Sequence, residues 1–435
     1  MTSDIKKAHF VSLGCAKNLV DSESAAGLLG SEGWAVSAFP EEADAVIINT
    51  CAFTRAAREE SNDEIKNLSK KIPSSAKLIV CGCLGQRDKK KLFDRFPRID
   101  AVAGSSDYRR ISGILRKLFS SGAKESKRLL CVGKADFIAD FSIPRLISTP
   151  TSYAYVKIAE GCSNHCSYCA IPALRGEFRS RSEKDILREA AALAEMGIKE
   201  LVLIANDSAF YGKDPTGRVL GGLLEKLNRI QKVRRIRILY MHPAHISEDL
   251  IKKIASLPKV ARYFDIPVQH TDDHILAGMR RPPFGGMEAL INIIRRHIPG
   301  AALRTTFITG FPGESEKRFN KLTQDVKRLR FSWAGVFAYS PEKGTPAEKM
   351  SGRPSAAEAL GRAKTLMKIQ QKISFAFARS FVGKRLDVIA DSPFRGRTEF
   401  QTPGVDGEVI FMKKQRPGGM KKMPIRASKG YDLIA

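Results

Sequence analysis

Short apolar runs alternate with stretches of helical period over the first 120 residues. The runs are His9–Leu13, Ala45–Ile48, Leu78–Cys81 and Ala101–Ala103, and periodic segments such as Ser22–Leu29 and Glu59–Leu68 lie between them. Alternation of strand and helix predicts a parallel, doubly wound sheet. The same alternation returns after residue 150, with strand candidates Tyr155–Ile158, Leu201–Ile204, Ile236–Tyr240, Tyr263–Ile266, Leu303–Ile308 and Ala334–Phe337. Six such units predict a partial (β/α)6 barrel. Residues 355–379 read as one helix leading out of it. Beyond it, the short β-type runs Leu386–Ile389 and Glu408–Phe411, separated by Gly and Pro, predict a small all-β barrel. The expected fold class is α/β with that terminal all-β barrel. The expected domains are 1–122, 148–379 and 380–435. A basic linker with Lys124, Lys127 and Arg128 follows the first domain, and Pro144 and Pro150 mark the next boundary.

No apolar run follows Met1-Thr2-Ser3-Asp4-Ile5-Lys6-Lys7, and no uninterrupted apolar stretch of about 18 residues occurs anywhere. The expectation is a cytoplasmic protein with no membrane partner. In that compartment cysteines serve metal or redox chemistry rather than disulfides, and 435 residues bury enough core to need no covalent staples. Net charge is +27, spread as +6, +16 and +5 over residues 1–150, 151–379 and 380–435. Such an excess suits a phosphate-rich partner such as RNA, and equally a solvated basic surface.

The eight cysteines carry the sharpest signal. Gly161-Cys162-Ser163-Asn164-His165-Cys166-Ser167-Tyr168-Cys169 has the spacing CxxxCxxC directly after a strand. Three thiolates can hold three irons of a 4Fe–4S cluster and leave the fourth open to a ligand, whereas ferredoxins close every iron with four cysteines. Structural zinc asks for a fourth protein ligand, and no fourth cysteine lies nearby. A second set is dispersed: Cys15, Cys51 and Cys83 each follow a predicted strand. In a parallel sheet all three emerge at the carboxyl edge, where ligands of open α/β sheets bind. Cys81 and Cys131 lie inside apolar runs and read as small hydrophobes.

The CxxxCxxC loop, with aromatic Tyr168 before its last cysteine, resembles the radical S-adenosylmethionine superfamily. Two three-cysteine sets and a terminal β-barrel extend the resemblance, over essentially the whole chain, to the methylthiotransferases and their terminal TRAM domain. Ser12-Leu13-Gly14-Cys15-Ala16-Lys17-Asn18-Leu19-Val20-Asp21-Ser22-Glu23 resembles the branch that modifies ribosomal protein S12, with Ala16 where that branch has proline. Ala205-Asn206-Asp207-Ser208, His242-Pro243-Ala244-His245, Asp265-Ile266-Pro267-Val268-Gln269-His270, Phe337-Ala338-Tyr339-Ser340-Pro341 and Thr402-Pro403-Gly404-Val405-Asp406-Gly407 match it further, with Asn206 where glutamine is expected.

The resemblance implies two 4Fe–4S clusters, on Cys162, Cys166 and Cys169 and on Cys15, Cys51 and Cys83. It implies S-adenosylmethionine as source of methyl group and radical, with Tyr168 near the adenine, although a plain packing role suits Tyr168 as well. It further implies an electron donor and insertion of a methylthio group at the β-carbon of an aspartate in S12, free or in the ribosome. That carbon–hydrogen bond is beyond any ordinary base, which explains the need for a radical. Two readings stand beside it: a tRNA adenosine methylthiotransferase, and a non-catalytic iron–sulfur or zinc RNA-binding protein.

Other residues stay open between ligand contact and structure. Gly310-Phe311-Pro312-Gly313-Glu314 reads as a nucleoside-binding loop or a tight turn, and Arg280-Arg281 as an acid-binding pair or, more simply, a solvated one. His242, His245 and His270 lie at strand ends without an assigned role. Lys413, Lys414, Arg416, Lys421 and Lys422 form an RNA-binding face or an exposed basic loop.

Overall fold

The computed structural model describes residues 5–120, 128–213 and 219–435; Met1 to Asp4 and, of the expected basic linker, Lys124 and Lys127 lie outside the described residues. The chain forms two compact units. The first comprises Met1–Ser148, Ala159–Asn164 and Cys169–Ser182; the second comprises Thr149–Ile158, His165–Tyr168 and Glu183–Ala435.

In the first unit, strands β1 (Lys7–Ser12), β2 (Ala35–Val36), β3 (Ala45–Thr50), β4 (Lys77–Gly82), β5 (Ala101–Ala103) and β6 (Leu129–Cys131) form one parallel sheet in the order β2-β1-β3-β4-β5-β6. Side chains alternate faces along a strand, so each strand feeds two cores. Val46, Ile48, Leu78 and Val80 pack with Ile65, Leu68, Leu84 and Leu92 from the helices on one face. Ala45, Ile47, Ile79 and Cys81 pack with Ala25, Leu29, Ile111, Ile114 and Leu115 on the other. This is the doubly wound sheet expected, with two short edge strands, β2 and β6, beyond the four predicted.

In the second unit, β7 (Tyr153–Lys157), β10 (Glu200–Ile204) and β11 (Arg235–Ile238) make one parallel sheet, and β12 (Tyr263–Asp265), β13 (Ala302–Thr309) and β14 (Trp333–Ala338) a second. The intervening β8 (Ala159–Glu160) and β9 (Arg179–Ser180) form an antiparallel ribbon in the first unit. All six expected strands are present, but the expected barrel is two three-stranded sheets joined by a bridge between Ile236 and Val260. The strands at that seam, β11 and β12, have four and three residues, too few for a longer ladder, and no closed barrel forms among the described residues.

The long helix Ala356–Arg379 begins where Ser355 and Glu358 make a reciprocal capping box. It leads to β15 (Arg385–Ser392), β16 (Arg395–Arg397), β17 (Val409–Ile410), β18 (Met420–Pro424), β19 (Ala427–Lys429) and β20 (Asp432–Ile434), in the order β18-β15-β16-β17-β20-β19. The pairs are antiparallel except β17 with β20. The edge strands β18 and β19 follow each other with only Ile425 and Arg426 between them. They are not paired with each other, and the described strands form an open six-stranded sheet where a barrel was expected.

This terminal sheet docks on the amino ends of the core strands. Glu200, first residue of β10, is fully buried and accepts from Arg237 Nε (2.7 Å) and Arg397 Nη1 (3.0 Å), with Arg235 3.5 Å away. Arg237 and Arg235 donate onward to the carbonyls of Glu399 and Asp387, and Arg397 to the Asp391 carboxylate. Tyr263 donates to Asp406 (2.7 Å) and Trp333 Nε1 to the Phe400 carbonyl (2.7 Å). Burial alone would raise the Glu200 carboxyl, but Arg237, Arg397 and Arg235 outweigh it and hold the group down to about 2.

A carboxyl depressed in the folded state contributes stability above its unfolded value near 4.5 and loses it as the pH falls through the folded value. The seam should therefore weaken between pH 4.5 and about 2. Glu200→Gln, which leaves three buried guanidiniums short of their counter-charge, should cost about 3–5 kcal/mol at neutral pH. Denaturant melts of wild type and variant at pH 7 and pH 3 check both, and the difference between them should shrink at the lower pH.

Candidate functional site

Strand register places the dispersed cysteines. Ser12 of β1 pairs with Asn49 of β3, and Asn49 pairs with Cys81 of β4. Cys15 therefore lies three residues past that level, and Cys51 and Cys83 two each, on adjacent parallel strands at one carboxyl edge. Cys15 caps the helix Ala16–Ser31 and Cys83 opens the helix Cys83–Asp88. Cys51 and Cys83 are buried and Cys15 is half-buried. Asn18 fixes the loops by donating from Nδ2 to the carbonyls of Leu13 (2.8 Å) and Thr50 (3.0 Å), and the Cys51 N–H donates to Ser61 Oγ (3.1 Å).

A glycine precedes each of three site cysteines. Gly14, Gly82 and Gly161 have φ of +86°, +88° and +75°. A side chain on Gly14 would put Cβ 2.6 Å from Cys51 Cβ and 2.8 Å from its Sγ, and one on Gly82 would meet the Asn49 amide oxygen at 2.2 Å. Glycine is required here by both torsion and space.

The electrostatics of the set ask for positive charge. Burial pushes the Cys51 thiol up to about 11, helped by the charges of Cys83 and Cys15. Burial likewise raises Cys83, opposed by Arg175. Burial also acts against a Cys15 thiolate, but Lys17, Arg175 and two backbone N–H groups bring that thiol below its usual value. Arg175 is itself buried and donates to Asp21 (2.9 Å), Glu160 (3.1 Å) and Asn18. Three mutually repelling thiols at a buried edge fit a cationic iron–sulfur group, which binds thiolates. Cys81 points into the opposite core and is held un-ionised by burial; Cys131 lies in edge strand β6.

The CxxxCxxC loop divides between the units. In the first, the Cys162 N–H donates to the Gly176 carbonyl (3.0 Å), Asn164 Nδ2 reaches Cys162 Sγ (3.4 Å), and Cys169 precedes the helix Ile171–Arg175. In the second, Ser167 is tied to Gly278 and Met279, and Tyr168 packs partly buried with Ile275, Met279, Phe311 and Tyr339. Cys166 Sγ lies 3.9 Å from Arg281 Nη1.

At the carboxyl edge of the second unit's strands, five buried side-chain atoms have no hydrogen-bond partner: Asn206 Oδ1, His242 Nε2, Gln269 Oε1, Arg281 Nε and Tyr339 OH. Buried polar atoms are nearly always satisfied, so such a concentration marks a place for a polar ligand. Backbone strain gathers there too. Tyr240, Gln269 and Arg280 have φ of +61°, +73° and +55°, without being glycine. Of the Arg280-Arg281 pair only Arg280 is exposed; Arg281 is buried, because its guanidinium reaches back to the Pro267 carbonyl. The loop Gly310–Glu314 is a built turn: Glu314 accepts from the Gly310 N–H (2.6 Å) and Arg362 (2.7 Å) and lies 3.2 Å from His270 Nε2. Asn18, Arg175 and Tyr339 carry no site assignment from the sequence, and His242 and Arg281 stay open there between ligand contact and structure; only the Gly-Cys dipeptides carry a local signal of the tight approach.

Residues 7–104 match the Uncharacterized protein family UPF0004, residues 156–326 the Radical SAM superfamily, and residues 382–435 the TRAM domain. The chain is similar to the ribosomal protein uS12 methylthiotransferase RimO of Heliobacterium modesticaldum, with 41% identity over 98% of this chain and 94% of that protein. It is similar to that of Syntrophus aciditrophicus as well, with 43% identity over 98% and 97%. Among solved structures, the radical S-adenosylmethionine methyltransferase TsrM from Kitasatospora setae, with tryptophan substrate and a SAM analogue bound, has a TM-score of 0.56 at 14% identity, over 80% of this chain and 75% of that one. That likeness is one of fold.

Gly14→Ala should leave the fold intact and spoil the dispersed cysteine set, since its methyl group lands on Cys51. Iron bound per chain after anaerobic reconstitution should fall below that of wild type, with an unchanged far-ultraviolet spectrum.

Proposed function

The chain belongs to the ribosomal protein uS12 methylthiotransferase family, and from that premise we propose that it inserts a methylthio group at the β-carbon of an aspartate of uS12. As a radical S-adenosylmethionine enzyme it uses an iron–sulfur cluster and S-adenosylmethionine. The finer reading is two 4Fe–4S clusters, one on Cys162, Cys166 and Cys169 and one on Cys15, Cys51 and Cys83. The observation that carries it is the convergence of the second set at one sheet edge, which a radical enzyme with a single cluster does not need.

The bound groups would supply an electron for cleaving S-adenosylmethionine and a place to hold sulfur. The chain's own residues do the rest. Gly14, Gly82 and Gly161 let the backbone turn tightly before three of the cysteines. Asn18 holds two of the cysteine loops together, and Arg175 offsets thiolate charge without adding a ligand. Burial of Cys51 and Cys83 keeps water away from the sulfur. Tyr168 would lie near the adenine, a reading its aromatic face and its neighbours Phe311 and Tyr339 support.

The proposed domain limits are 1–122, 148–379 and 380–435, each of which contains one of the three family matches. No helix among the described residues is long and apolar enough to cross a membrane, and the reading places the protein in the cytoplasm, where its thiols stay reduced. It needs a one-electron donor. Lys413, Lys414 and Lys421 stand exposed on the terminal sheet and would meet RNA phosphate around uS12, free or assembled.

The test is anaerobic incubation of reconstituted enzyme, reductant, sulfide and S-adenosylmethionine with uS12 or with prenylated tRNA, read by mass spectrometry. One methylthio group on a uS12 aspartate is expected; modification of tRNA alone would overturn the substrate assignment. A Cys15→Ala, Cys51→Ala, Cys83→Ala variant should keep about four irons of about eight, still form 5′-deoxyadenosine, and yield no methylthio product.

A further inference from the structure

His242 and Arg281 stand out among the unpartnered groups because both present N–H donors. His242 follows β11 and is 9% exposed; Arg281 follows the helix Asp273–Gly278 that comes after β12 and is 7% exposed. His242 Nδ1 accepts the Ala244 N–H at 3.3 Å, so a neutral ring carries its proton on Nε2, the atom without a partner. Burial, with Arg281 close by and only partly offset by Asp207, holds the imidazole neutral, down to about 3. Arg281 is anchored by Nη1 near Cys166 Sγ and by Nη2 on the Pro267 carbonyl, which leaves Nε–H unpaired.

Asp207, His242 and His245 also bring ligand atoms within 4.8 Å of one another, a set a metal ion could use. The tautomer argues otherwise. A metal-bound imidazole donates its other N–H to an acceptor, whereas the Nδ1 of His242 is taken up in accepting one. Asp207 is already engaged, 2.6 Å from His245 Nδ1 and accepting the His242 backbone N–H at 3.2 Å. The cluster holds the His242 ring in place and leaves Nε2–H as a fixed, uncharged donor.

We propose that His242 Nε2–H and Arg281 Nε–H form a carboxylate-binding site at the carboxyl edge of the core strands. One fixed positive charge and a second, neutral donor suit a single negative charge shared between two oxygens. Neither phosphate, which calls for more positive charge, nor a neutral amide, which would leave the guanidinium without a counter-charge, suits it as well. Resting on the proposed function, two carboxylates come to this edge: that of S-adenosylmethionine and the side chain of the target aspartate. The chemistry is the same for both, and the experiment separates them.

The test uses reconstituted enzyme and the variants His242→Phe, His242→Gln and Arg281→Lys. Binding of S-adenosylhomocysteine is measured by equilibrium dialysis. Binding of uS12 with aspartate or asparagine at the target position is measured by fluorescence anisotropy. A charge-assisted hydrogen bond lost from a buried site weakens binding roughly ten- to hundred-fold. His242→Phe and Arg281→Lys should produce that loss, and His242→Gln, which keeps an N–H donor, should recover most of it. Loss for S-adenosylhomocysteine alone assigns the site to the cofactor's carboxylate. Loss of the preference for aspartate over asparagine assigns it to the substrate. Unchanged binding of both, in variants with wild-type iron content and melting temperature, overturns the proposal. If wild type never modifies uS12 but the variants still lose S-adenosylhomocysteine, the function assignment fails and the carboxylate site stands.

Discussion

Hydrogen bonds between β1, β3 and β4 hold Ser12, Asn49 and Cys81 at one level, and each chain leaves its strand within three residues of it. Parallel pairing sends all three exits in the same direction. A slip of one residue in either ladder would turn a cysteine toward a core or lower it below the edge. The convergence of Cys15, Cys51 and Cys83 thus depends on backbone register, and register depends on the apolar side chains that pin each strand between two helical layers. The glycines before Cys15 and Cys83 are part of the same constraint, because the chain must turn within one residue of the sheet's end.

Buried charge is handled differently at different places. At the amino ends of the second unit's strands, Glu200 is met by three guanidiniums whose remaining donors reach carbonyls or Asp391. Such a cluster adds little net stability over an apolar seam but tolerates only one arrangement of partners, so it fixes how the terminal sheet seats on the core. In the first unit, Arg175 is shared among Asp21, Glu160, Asn18 and the cysteine edge. Asp21, Glu160 and Asn18 anchor the guanidinium, and its remaining reach is toward Cys83 and Cys15.

Much of this was legible in the sequence. Continuous apolar runs located the main strands, because strands covered on both faces show no polar alternation. The CxxxCxxC spacing and the strand-end positions of Cys15, Cys51 and Cys83 named both cysteine sets without coordinates. Closure of the sheets was not legible, since it turns on one bridge at Ile236 and on the order of two short edge strands. Nor was Arg175, whose partner Asn18 lies 157 residues away. For Arg280-Arg281 the sequence leaves an acid-binding and a solvated pair both open, the second the simpler; the structure exposes Arg280 and buries Arg281, and the left-handed torsion at Arg280 that separates them has no sequence signal.

The two edges of the second unit's strands are asymmetric. At the amino edge, the Glu200 carboxylate and its three guanidiniums are buried with partners supplied largely by the terminal sheet, and only the Ser152 and Thr402 hydroxyls stay unpaired there among the described residues. At the carboxyl edge, Asn206, His242, Gln269, Arg281 and Tyr339 keep buried atoms unpaired, and three residues other than glycine hold left-handed torsions. Each unpaired group costs about 1–3 kcal/mol, and each strained torsion a similar amount. A fold tolerates that concentration only where a ligand recovers part of it, and only if the opposite edge is fixed firmly enough to stop the loops relaxing. The Glu200 cluster provides that rigidity. The terminal sheet therefore contributes to the reactive edge without touching it, by closing off the other end of the same strands.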